Sequence, residues 1–184
     1  MNRRLCLALA LSAGLPAWAL SLSSPLGTPS VPAGSGTVVP LDIGPPIGKG
    51  AGVHSPDSPF PPLPKRSDVV PWSVLTDVET RIDNRRIVPV YSPAVQALDK
   101  KKVRVQGYMM PLGPGEMQRH FLLASVPLTC SFCTPGGPES MIEVRTREPV
   151  KYTLGAVVVE GRLQVLSSDP TGLYYRITGA IGVK

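Results

Sequence analysis

From position 103 onward the chain alternates. Val103, Val105, Gly107 and Met109 are small or apolar, and Arg104, Gln106 and Tyr108 between them are longer and polar or amphipathic. That period of two marks a half-buried strand. Pro111 closes it. Four further segments read as strands: 121–126, 141–145, 152–159 and 163–166, with Glu160-Gly161-Arg162 predicted as the turn between the last two. A sixth, 174–178, ends the series, and its neighbours Tyr174 and Tyr175 must face opposite ways. Ser92-Pro93 before Ala94-Val95-Gln96-Ala97-Leu98 reads as an N-cap, a proline at the first helical position and one or two turns of helix. Short strands, glycine-rich turns and little helix predict a mainly β fold: a small five- or six-stranded OB-like barrel with one short helix. An open sandwich is the second choice.

The N-terminal third has no such period. Arg3 and Arg4 precede an apolar run from Leu5 to Leu15, and Ala17-Trp18-Ala19 has the small-x-small pattern of a signal-peptidase site. The expectation is a cleavable signal peptide over 1–19 and a periplasmic mature protein. The apolar run falls short of the roughly 20 residues that cross a bilayer, so no transmembrane segment is expected after cleavage. From 20 to 70 the chain is rich in Pro, Gly and Ser, a composition that favours extended, coreless structure; this stretch is predicted to be a disordered tether. His54 falls within it and reads as a solvated linker residue. Ordered structure is expected from about 71 to 184, with Trp72 and Leu75 anchoring its start.

Charge and composition narrow the function. A net charge of +6 with 5% aromatic residues is mild basicity, so no nucleic-acid role is expected. No Gly-x-Ser-x-Gly, His-Glu-x-x-His or phosphate-cradling loop is present, and the protein reads as a non-enzyme. Cys6 leaves with the signal, so Cys130 and Cys133 remain as an even pair in an oxidising compartment.

Three readings of Cys130-Ser131-Phe132-Cys133 stay open. Two thiolates with His120 would make a zinc site, and with methionine a copper(I) site. A disulfide would brace the proline-glycine turn that follows. Thiol-disulfide exchange is the one enzymatic reading kept, although Thr134-Pro135-Gly136-Gly137-Pro138 cannot continue as the helix that usually lowers an attacking thiol's pKa. Phe132, Met110 and Met117 read as partner contacts.

Taken together, the Gly-Tyr-Met-Met-Pro-Leu run at 107–112, His120-Phe121-Leu122-Leu123, the Cys130–Pro138 loop and Gly172-Leu173-Tyr174-Tyr175 resemble a bacterial family of exported proteins and lipoproteins known only as a domain of unknown function. The resemblance spans roughly 71–180. Some members stand beside genes for ABC-transporter components and zinc-uptake proteins. It therefore implies accessory work in metal or envelope transport, with an ABC transporter or another envelope complex as partner. Other members carry a Cys-x-His arrangement at this loop, where this chain has Ser131 and Phe132.

Overall fold

The computed structural model describes residues 49–183. The expected signal peptide, its cleavage site and the tether up to residue 48 lie outside the described residues. Among the described residues, no helix is long and apolar enough to cross a membrane.

Five strands close into a barrel: β3 (Lys102–Pro111), β4 (Met117–Ala124), β5 (Met141–Lys151), β6 (Ala156–Val165) and β7 (Tyr175–Val183). Their order around it is β3-β4-β5-β7-β6, with β6 returning to β3. The β5–β7 pair is parallel and the other pairs antiparallel. Closure leaves the barrel without a free edge. The inward positions follow from the alternation: Val103 and Val105 on β3, Phe121 and Leu123 on β4, Ile142 and Val144 on β5, Val159 and Leu163 on β6, Tyr175 and Ile177 on β7.

The turn expected at Glu160–Arg162 is not a turn. The two predicted strands are one strand, β6, whose pairing with β7 slips between Glu160 and Arg162. Such an irregularity bends a strand and sharpens its twist, which a small barrel requires. Gly161 is there for space: a Cβ would stand 2.5 Å from Ile177 Cγ2 and 3.0 Å from Ala180 Cα.

Two short helices precede the barrel, one more than expected. In α1 (Trp72–Leu75), Leu75 is fully buried and Trp72 Nε1 donates to Gln106 O at 2.9 Å, so both expected anchors reach the core. In α2 (Pro93–Gln96), Ser92 Oγ accepts from Val95 N, as its N-cap position predicts. Between the helices stands a hairpin that the hydrophobic pattern did not announce, β1 (Val78–Asp83) and β2 (Arg86–Tyr91). Its two-residue turn places Asn84 and Arg85 at φ 46° and 63°, the geometry of a type I′ turn without glycine. Most of its side chains are exposed, and Pro89 interrupts its strand signal.

The described end of the expected tether, residues 49–70, is not a free coil. It lies along the barrel, making a β-bridge from Val53 to Thr134 and a backbone bond from Val70 N to Arg104 O.

Candidate functional site

The loop joining β4 to β5 turns sharply twice, Cys130 N donating to Pro127 O and Cys133 N to Cys130 O. These turns bring the cysteine Cα atoms to 5.4 Å, and the two residues stand as a disulfide pair. Both are buried, at 8% and 9% exposure, in a small cluster with Val126 and Phe60. Ser58 Oγ lies 3.2 Å from Cys130 Sγ. Phe132, held between two buried residues, is 63% exposed. The closed loop therefore presents an aromatic ring to solvent on a short, braced base.

Residues 50–53 seat this loop from the other side. Val53 N donates to Thr134 O at 2.8 Å, and Thr134 N returns the bond at 2.9 Å. Gly50 N donates to Glu139 Oε1 at 2.7 Å, which satisfies a carboxylate that is almost wholly buried. The backbones meet so closely that a Cβ on Gly136 would overlap Gly50 O. We expect Gly136→Ala to weaken this seat by about 2 kcal/mol, the usual cost of overpacking. Trypsin cleavage after Lys49, beside the seat, should then accelerate roughly thirtyfold, because a protease samples the locally opened state. An unchanged rate would mean that the segment is held elsewhere.

His120 has a different role from the one expected of it. It lies on β4, with Nε2 2.8 Å from Glu143 Oε1. Glu143 is 5% exposed on the outer face of the sheet. Arg145 also bonds its Oε1, Arg176 Nε bonds its Oε2, and Arg176 reaches Asp169 at 3.1 Å. Burial pushes the Glu143 carboxyl up, but the hydrogen bonds from Arg176, Arg145 and His120 outweigh it and leave the pKa below the ordinary value.

The ligand set Cys130, Cys133 and His120 is therefore not assembled. The cysteines are paired with each other, and His120 belongs to the Glu143 network. Among the described residues no three His, Cys, Asp or Glu side chains are gathered where they could hold a metal ion.

The expected partner contacts also separate. Met110 and Met117 are exposed, at 39% and 55%, but they flank the β3–β4 turn. The cysteine loop leaves the opposite end of β4, and a strand of that length spans about 23 Å. The two methionines and Phe132 do not form one surface.

Sequence reasoning undervalued His54. Its ring is half-buried and stacks on Tyr108, with centroids 6.1 Å apart, so it is not a solvated linker residue. The bridge at Val53 places it beside the cysteine loop in register. No local signal marks this, because its partner Tyr108 lies 54 residues away along the chain.

The five-stranded mixed barrel, its cysteine loop and the N-terminal segment laid across it define an OB-type β domain with a disulfide-closed connecting loop. A family model described as "Protein of unknown function (DUF3299)" matches residues 72–175, and the chain belongs to that family. No curated protein matches the chain. Among solved structures, it is similar to a DUF3299 family protein from Pseudomonas aeruginosa PAO1, at 24% identity, covering 50% of this chain and 67% of that one, with a TM-score of 0.37.

Proposed function

We propose that the protein is an exported, periplasmic accessory protein without catalytic activity of its own, which docks a protein of the cell envelope through the tip of the Cys130–Cys133 loop. The observation that carries this reading is Phe132, 63% exposed between two buried, paired cysteines. An exposed aromatic on a pre-ordered loop loses little conformational entropy on binding, and aromatic residues of this kind are enriched among the contacts that dominate interface energies. Val53, 64% exposed on the bridged strand beside Thr134, extends the apolar tip. The shallow burial of both sulfurs under Ser58 and Phe60 speaks against rapid exchange with an outside disulfide. An ABC transporter or another envelope complex is the partner class we favour.

The test is a photo-crosslinking residue at position 132 in cells producing the full-length protein. A discrete adduct with an envelope protein is expected, reduced at least fivefold when Val53 is also changed to Ser. No adduct from protein that is exported and folded would overturn the proposal.

A further inference from the structure

The outer side of β3 carries Gln106 and Tyr108, two residues apart and therefore on one face. Both are polar-tipped, yet they are only 8% and 4% exposed. What covers them is the segment Pro59-Phe60-Pro61-Pro62-Leu63-Pro64. Four prolines in six residues remove most of its backbone donors, so it cannot pair with β3 as a strand, and residues 59–66 make no backbone-to-backbone hydrogen bond with the described chain. Its carbonyls are met by side chains. Tyr108 donates its hydroxyl to Pro61 O at 2.6 Å, and Gln106 Nε2 donates to Pro64 O at 2.7 Å.

The spacing is informative. Pro61 and Pro64 are three residues apart, one turn of a polyproline helix, so their carbonyls recur on the same side. Tyr108, with the His54 ring stacked on it at 6.1 Å, gives the groove the aromatic wall that proline-rich segments favour, and the segment's own Phe60 meets Tyr108 edge-on at 6.5 Å. Two polar atoms here are left over: His54 Nε2 and Gln106 Oε1 are both buried with no hydrogen-bond partner among the described residues, and Gln106 Oε1 can only accept. A proline-rich segment has few N–H groups to offer it. The chain's own segment is thus an incomplete ligand for this groove.

We propose that the Gln106–Tyr108 face of β3 is a binding site for extended proline-rich segments, that Pro59–Pro64 occupies it in cis, and that a partner's proline-rich segment displaces it. The displacing ligand has carbonyls three residues apart that meet Tyr108 and Gln106, and one backbone N–H that satisfies Gln106 Oε1. This site adjoins the cysteine loop, since Phe60 packs against Cys130 and Cys133, but its test reads Tyr108 and can fail without the crosslinking at Phe132 failing.

The probe is a fluorescent peptide of residues 57–66, titrated into the full-length chain and into a variant with Pro59, Pro61, Pro62 and Pro64 all changed to Gly. Glycine raises the entropy lost when the cis segment docks, so the peptide should bind the variant at least tenfold more tightly than the wild type. Adding Tyr108→Phe should weaken that binding about fivefold, the usual effect of losing one hydrogen bond. A peptide with its prolines changed to glycine should bind at least tenfold more weakly. Should the four-glycine chain lose its fold, as read by near-UV dichroism, Leu63→Ser replaces it, since Leu63 is only partly buried against the core. No binding by either folded variant, or affinity indifferent to Tyr108→Phe, would overturn the proposal.

Discussion

Leu75→Ala will destabilise the domain by about 3 kcal/mol, the middle of the range for emptying a fully buried leucine site. Leu75 has no solvent exposure, and it shares the core with Trp72, Val95 and Tyr175. Tyr175 OH also donates to Leu75 O at 2.5 Å, so the truncated side chain leaves its hole beside a hydrogen bond that fixes the helix in place. For a domain of this size the midpoint of thermal unfolding should fall by roughly 10 °C. Calorimetry of the full-length protein gives the number. A fall of only a degree or two would show that α1 is an appendage and that the barrel closes without it.

Glu143→Gln will cost about 2 kcal/mol near neutral pH, through the charges it leaves behind. Breaking one member of a buried ion network can cost about 3–5 kcal/mol, but Arg145 is 58% exposed and water screens it. Arg176, at 23% exposure, bears most of the loss. The folded carboxyl titrates below its unfolded value near 4.3, so the stabilisation is complete above that pH and disappears as pH falls through the folded value. Urea unfolding of wild type and variant should therefore show a gap at pH 7 that narrows by pH 3. A gap that persists undiminished in acid would mean that Glu143 acts through its shape and not its charge.

Signals that act within a few residues were legible without coordinates. Period-two alternation located the core of β3, because a strand at a solvent boundary must alternate, and short runs of strand-forming residues placed parts of β4 and β5. Ser92-Pro93 marked the start of α2, because an N-cap and a proline at the first helical position act within one turn. Two cysteines separated by two residues come within reach of each other only where the chain turns between them, so by sequence the disulfide stays one of three readings. The β1–β2 hairpin escaped because its strands are mostly exposed and its turn uses Asn84-Arg85 instead of glycine.

Closure and contact belonged to the tertiary structure. Glu160-Gly161-Arg162 has the composition of a turn, and only the packing of Ile177 and Ala180 against Gly161 makes it a bend within one strand. His120 could be assigned to the cysteines by sequence, but the register of β4 on β5 hands it to Glu143. The proline-rich segment shows the division most clearly. Its composition states that it lacks the donors to build a sheet or a core. That it nonetheless docks depends on Gln106 and Tyr108, 42 and 47 residues from their acceptors, whose positions are set by the closure of the barrel and by no local preference of the chain.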